Sequence, residues 1–247
     1  LFIIGHWRSG TTHLHNLLSR DRGFATITFR HTVLPWDFLN RVRIGARILE
    51  AALPGKRGMD DVPLALDSPQ EEEMALGNMG PLCYYYCYYF PQFWRREYSR
   101  SILFEGVTEE ELDHFADRYR YLLGKLALEN KGGKRILLKN PANTGRIHWL
   151  KKVFPNARFV HIHRNPYEVF ASTVKHFDRI LPDFALQPFA DLDYQSLTLE
   201  NYRLLFEHYF RAQHEVPRED LLEVTFADLE SDPLRVVDGI YRYFDLP

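Results

Sequence analysis

The chain predicts an α/β layered fold built on a central parallel sheet, with ligands at the carboxyl edge of the strands. Three observations carry this. Short apolar runs of buried-strand character recur at Leu1–Ile4, Arg135–Lys139, Arg158–His163 and Leu221–Thr225. Segments with apolar residues at helical spacing lie between them. The first run passes directly into a glycine-containing turn, GHWRSGTTHL from Gly5 to Leu14, that opens a helix. Right-handed crossovers put the carboxyl ends of such strands on one edge.

Each helix has its own warrant. Thr11–Leu18 follows the glycine turn, and Asp37–Leu53 repeats apolar residues at helical spacing. Thr108–Asn130 begins with Thr108 three residues before Glu111, a capping box. Asn143–Phe154, Pro166–Ile180, Leu197–Glu215 and Asp232–Phe244 complete the set. The stretch from about 20 to 106 carries few strand signals and reads as a helical insertion covering the active-site edge, the place where substrate specificity is set. The expected organisation is a single domain over residues 1–247, cut from a longer chain, because Leu1 stands directly on a strand and Pro247 follows an amphipathic helix.

Composition narrows the partners. A formal net charge of −2, with no like-charge block, argues against a general affinity for nucleic acid or for an anionic membrane surface. Any positive charge that matters is local. No apolar run reaches the roughly 20 residues a membrane helix needs, and no signal peptide is present, so the expected location is cytoplasmic. Cys83 and Cys87, four apart, have helical rather than zinc or disulfide spacing and are expected as buried thiols.

The turn has the phosphate-loop frame, glycine, four residues, glycine and two hydroxyl residues, with Thr11 where a nucleotide triphosphatase carries lysine. Its glycines permit tight turns, and the amides of Ser9, Gly10, Thr11, Thr12 and His13 can point at an anion where the helix starts. A metal-dependent phosphotransferase follows an apolar strand with an aspartate for magnesium. Here RILLKNP ends in Lys139 and RFVHIHRNP ends in Arg164. Arg8, Lys139 and Arg164 therefore converge on one edge and suit a ligand with several negative charges and no metal. His161 and His163 alternate with apolar residues on a strand, and His13 and His15 face apart on a helix, so none of them reads as a metal ligand. A nucleotide kinase or triphosphatase, and a nucleotide-binding module without catalysis, stay open at this level; metal dependence and turnover separate them.

RSGTT after the first strand, RNPYEVFAST with Arg164 and Ser172 eight apart, LLKNPANTGRI and FPNARFVHIHR together resemble the nucleotide-dependent sulfotransferases, in particular the bacterial-type branch distantly similar to tyrosylprotein sulfotransferases. The resemblance implies a P-loop NTPase-like three-layer fold and 3′-phosphoadenosine 5′-phosphosulfate (PAPS) as donor, leaving adenosine 3′,5′-bisphosphate. It implies that Arg8 to Thr12 hold the 5′-phosphosulfate and that Arg164 with Ser172 holds the 3′-phosphate. Phe226, in VTFADLESDP, stands where the family often has tyrosine near the adenine; it can pack against a base without hydrogen-bonding to it. The transferring sulfuryl group carries less charge than a phosphoryl group, so amides and fixed cations can stabilise its loose transition state without magnesium. Lys139 and Arg8 can stabilise the phosphate oxygen that leaves.

The implied acceptor is a small-molecule, lipid or carbohydrate hydroxyl, which must lose a proton. The tyrosylprotein branch has a glutamate shortly after the loop, but ATITFRH has none. In DSPQEEEMAL, Ser68 reads as a helix cap with Pro69 in the first turn and Glu71 as its capping-box partner. That leaves Glu73 as first choice for the catalytic base, Glu71 second and His31 third. PLCYYYCYYFPQFW, Pro81 to Trp94, reads equally as core or as the wall of an acceptor pocket.

Overall fold

The structure is a computed structural model that describes residues 1–40 and 65–247. Five strands form one all-parallel sheet: β1 (Phe2–Ile4), β2 (Phe24–Thr26), β3 (Arg135–Lys139), β4 (Phe159–His163) and β5 (Leu221–Thr225), in the order β2-β3-β1-β4-β5. The strand at Phe24–Thr26 was not expected. Three residues with a threonine make a weak apolar run, and the strand exists because β3 offers it a pairing edge, Phe24 opposite Arg135. It lies inside the stretch read as a helical insertion, so the sheet reaches into that stretch.

Period-two alternation sends successive strand residues to opposite faces, and two cores result. Phe2, Ile4, Leu138 and Phe159 meet Phe115, Tyr119 and Leu122 of α6 (Glu109–Glu129) and Ile147 and Leu150 of α7 (Ile147–Val153). Ile3, Leu137, Val160 and Ile162 meet Leu14 and Leu18 of α1 (Thr11–Leu18) and Leu229, Val236 and Ile240, from Phe226–Ser231 and Pro233–Tyr243. The expected three layers follow. A third core joins Cys83–Tyr98 to Phe177, Ile180 and Leu181 of α8 (Pro166–Phe184) and Leu197 and Leu205 of α9 (Tyr194–Ala212). Both cysteines are free and buried there.

Thr108 caps α6 as expected: its hydroxyl accepts from Glu111 N at 3.2 Å, and Glu111 accepts from Thr108 N at 2.9 Å. Three elements differ from expectation. The helix expected at Asp37–Leu53 lies outside the described residues beyond Asn40, and its first residues form turns. The segment from Asn143 divides into a 3₁₀ turn, Pro141–Thr144, and α7. Ser68 does not cap a helix: Thr28 bridges Pro69 and Gln70 N donates to Ile27 O at 2.9 Å, which holds this segment extended. The helix α3 (Glu72–Gly77) therefore starts later, with Glu71 itself at the cap position.

Candidate active site

β1 stands between β3 and β4, with Ile3 opposite Lys139 and Ile4 opposite His161. The carboxyl ends of three neighbouring strands thus deliver Gly5, Lys139 and Arg164 to one edge. The loop from Gly5 to Gly10 is fixed by its backbone. Gly5 has φ 146° and Gly10 has φ 98°. A Cβ on Gly5 would come 2.3 Å from Ile162 O, and one on Gly10 would come 2.2 Å from the Phe226 ring. Arg8 itself has φ 69°, a conformation that costs an ordinary residue about 1 kcal/mol or more. Thr144 clamps the loop from β3's side, accepting from Gly5 N at 2.8 Å and donating to Gly5 O at 3.1 Å.

The loop leaves several hydrogen-bonding groups without a partner in the protein. No side chain caps α1, so its first amides, Thr11 to His13, are free of intrahelical partners. Ser9 Oγ is buried and has no hydrogen-bond partner within the protein. Arg8 Nε donates to Ser172 Oγ at 2.9 Å, tying the loop to α8. Arg164 lies 4.4 Å over the Phe226 ring and donates to Glu168 at 2.6 Å. The structure thus brings Arg8, Ser9, Gly10, Thr11, Thr12, Ser172, Arg164 and Phe226 into one continuous patch. His13 takes part through its backbone, its side chain being exposed.

Lys139 is almost fully buried and donates to Glu71 Oε1 at 2.6 Å and to Thr12 Oγ1 at 3.2 Å. The hydroxyls of Tyr84 and Tyr85 donate to the other oxygen of Glu71, at 3.3 and 3.4 Å. Behind Lys139, burial and then the lysine charge hold His15 down to about 3, so it is a neutral ring bonded to Thr26. Glu71 keeps some exposure to the edge.

Its neighbours are committed elsewhere. Glu73 and Arg146 are both wholly buried and make a two-pronged ion pair at 2.6 and 2.9 Å; Tyr84 N and Asn140 Nδ2 supply further donors to Glu73. Glu72 accepts from Tyr119 at 2.6 Å and Asn143 at 2.7 Å, and burial raises its carboxyl above the usual range. His31 accepts from Thr28 N through Nδ1 at 2.9 Å and so presents Nε2–H to Glu129 at 2.9 Å. Burial holds that imidazole below its usual value. Sequence reading assigned no role to Arg146, Asn140 or Thr144, and it took Tyr84 and Tyr85 only as part of the aromatic segment read as core or pocket wall. The signal was available in LLKNPANTGRI, where polar residues cluster around a proline directly after a buried strand.

No group of three His, Cys, Asp or Glu side chains that could hold a metal occurs among the described residues. Asp228, the carboxylate that follows β5, is held by Thr225 at 2.6 Å and Arg235 at 2.8 Å.

Comparison with known proteins gives the family. The chain is 30% identical over 248 residues to an omega-hydroxy-beta-dihydromenaquinone-9 sulfotransferase of Mycobacterium bovis and to its namesake in Mycobacterium tuberculosis. It covers 62% of the length of each while matching them over its own full length. Among solved structures, sulfotransferases from Mycobacterium avium and M. tuberculosis superpose with TM-scores of 0.77 and 0.69, each at 21% identity, over the whole chain and 64% and 67% of theirs. Those likenesses bear on the fold. The profile described as Sulfotransferase family matches residues 1–247, and the chain belongs to the sulfotransferase family.

Proposed function

We propose that this chain moves a sulfuryl group from PAPS to a hydroxyl acceptor, with Glu71 as the base. The observation that carries the reading is the contact of Lys139 with both Glu71 and Thr12, which sets a cation one hydrogen bond from the loop and a carboxylate directly behind that cation. The bound nucleotide supplies an activated sulfuryl group. Its fit rests on the unpartnered Ser9 Oγ, the uncapped start of α1 and the basic residues around them. Arg8, Ser9, Gly10, Thr11, Thr12 and the His13 amide would hold the 5′-phosphosulfate, Arg164 and Ser172 would hold the 3′-phosphate, and Phe226 would pack against the base.

Glu71 takes the proton of the acceptor hydroxyl as that oxygen bonds to sulfur, and Lys139 and Arg8 stabilise the electron pair left on the departing phosphate oxygen. Glu71 displaces Glu73 as the preferred base because Glu73 has no exposure and spends both oxygens on Arg146, Asn140 and Tyr84. His31 is set aside on the same ground, both ring nitrogens being engaged. The relatives' name, with its hydroxylated dihydromenaquinone, favours a lipid-like alcohol over a carbohydrate.

Transfer from labelled PAPS, measured in chelator, tests the reading. Glu71→Gln is expected to lower turnover by about 10²–10⁴ and to leave affinity for adenosine 3′,5′-bisphosphate unchanged. Normal turnover in that variant would sink the base assignment.

A further inference from the structure

Glu73, two residues after Glu71, and Arg146 are opposite charges wholly buried against each other. Stability alone is a poor reason for such a pair, because lost hydration offsets the attraction and two hydrophobic residues of similar volume often serve a fold as well. What the pair holds supplies a better one. Glu73 Oε1 accepts from Tyr84 N at 2.8 Å and Arg146 Nη2 at 2.9 Å, and its Oε2 accepts from Asn140 Nδ2 at 2.7 Å and Arg146 Nη1 at 2.6 Å. Two of these partners adjoin the candidate chemistry. Tyr84 turns its own hydroxyl to Glu71, and Asn140 directly follows Lys139.

Glu71 needs outside support. It stands at the cap position of α3, a helix of six residues with no side-chain cap, and so short a helix does not hold itself. The chain before it is attached by the bridge from Thr28 to Pro69 and the bond from Gln70 N to Ile27 O. Lys139 is fixed differently, on β3 opposite Ile3. Glu72 ties α3 to α6 through Tyr119, whereas Glu73 ties it to the end of the strand that carries Lys139 and to the backbone of Tyr84. Arg146 is anchored in turn: its Nε donates to Ser101 O at 2.7 Å, in the π-helical turn Ser99–Leu103, and its guanidinium lies 5.4 and 5.3 Å from the ring centres of Phe104 and Phe115.

We propose that the Glu73–Arg146 pair is a positioning element for the base: through Asn140 and the Tyr84 amide it sets the Glu71 carboxylate in reach of both Lys139 and the Tyr84 hydroxyl. This rests on the reading of Glu71 as base and names what holds that base in register. The test removes both charges at once, Glu73→Leu with Arg146→Met, which leaves no bare ion and should melt above Arg146→Met alone. In a crystal structure of the paired variant, Glu71 should lie out of hydrogen-bond reach of Lys139 or of Tyr84. With labelled PAPS and farnesol as a lipid-like alcohol, kcat should fall by about 10²-fold, the loss that a misplacement of about 1 Å can cause, while affinity for adenosine 3′,5′-bisphosphate is unchanged. Placed on Glu71→Gln, the same pair of substitutions should cost nothing further, since groups that act as a unit do not add.

A merely structural pair would behave otherwise. Turnover restored along with stability, a further fall on the Glu71→Gln background, or a variant crystal in which Glu71 keeps both contacts overturns the proposal. Should the paired variant fail to fold, Asn140→Ser keeps the ion pair and cuts its tie to β3; a lower kcat that vanishes on Glu71→Gln supports the assignment, and an unchanged kcat overturns it. The two readings fail separately. Glu71 in place with turnover still dependent on it removes the positioning role alone; Glu71 displaced with turnover indifferent to Glu71→Gln leaves the positioning and removes the base.

Discussion

Glu71 accepts from three donors, Lys139 on one oxygen and the Tyr84 and Tyr85 hydroxyls on the other, so the two phenols supply two of the three donors that orient it. Replacing Tyr84 and Tyr85 together by phenylalanine keeps the apolar packing and removes both donors. Turnover is expected to fall by about tenfold, with nucleotide affinity unchanged, because only a base out of register is left; calorimetry beside steady-state kinetics separates the two effects. Arg164 acts at the other end. It is held by Phe226 and a half-exposed Glu168, so Arg164→Ala should cost the bisphosphate about 1.5–3 kcal/mol of binding and adenosine 5′-monophosphate almost nothing. An equal loss for both nucleotides would remove the 3′-phosphate role. At Gly10 the constraint is steric: a methyl group meets the Phe226 ring and the backbone has positive φ, so Gly10→Ala should abolish bisphosphate binding in a folded protein.

At the scale of elements, the three consecutive glutamates opening α3 have three different fates. Glu71 faces Lys139, Glu72 is sealed under Tyr119, and Glu73 is paired with Arg146. Removing one partner of a wholly buried pair leaves a bare charge, so Arg146→Met should lower unfolding stability by about 3–5 kcal/mol in urea titrations. Glu72 gives a pH signature. Its folded-state carboxyl is raised by burial, so at pH above that raised value the carboxylate costs stability, and the cost disappears as pH falls toward the ordinary carboxyl range. Glu72→Gln should therefore melt above wild type near neutral pH, with the difference closing on acidification; a constant offset would show that Glu72 does not titrate. Sequence alone could not assign these fates. The glycine turn gave the start of α1 and the Thr108–Glu111 spacing gave the cap of α6, because both depend on neighbours in the chain. The start of α3 depends instead on a bridge from Thr28 to Pro69, and β2 on an edge provided more than a hundred residues away. The anion loop was legible for the opposite reason, since glycine spacing and backbone amides are local. Which carboxylate was sealed in the interior was decided in part by Arg146, a distant partner.

Across the whole molecule, the anion site draws on the ends of β1, β3 and β4 and on α8, so a ligand spanning them ties the layers together. Adenosine 3′,5′-bisphosphate should raise the melting temperature strongly in chelator, by mass action on the native state, and ATP with magnesium should do much less. Preferential magnesium-dependent stabilisation by ATP would favour a kinase. The cations of the site also differ in their access to solvent. Lys139 has 3% of its side chain exposed, whereas Arg164 has 30%. Dissolved ions screen charges they can surround, over about 10 Å at 0.1 M salt, and reach buried ones poorly. Raising salt should therefore loosen the nucleotide from its ribose-phosphate end while the end that reacts keeps its hold. The bisphosphate then loses its advantage over adenosine 5′-monophosphate as ionic strength rises, and the enzyme's choice of donor becomes a function of the salt around it.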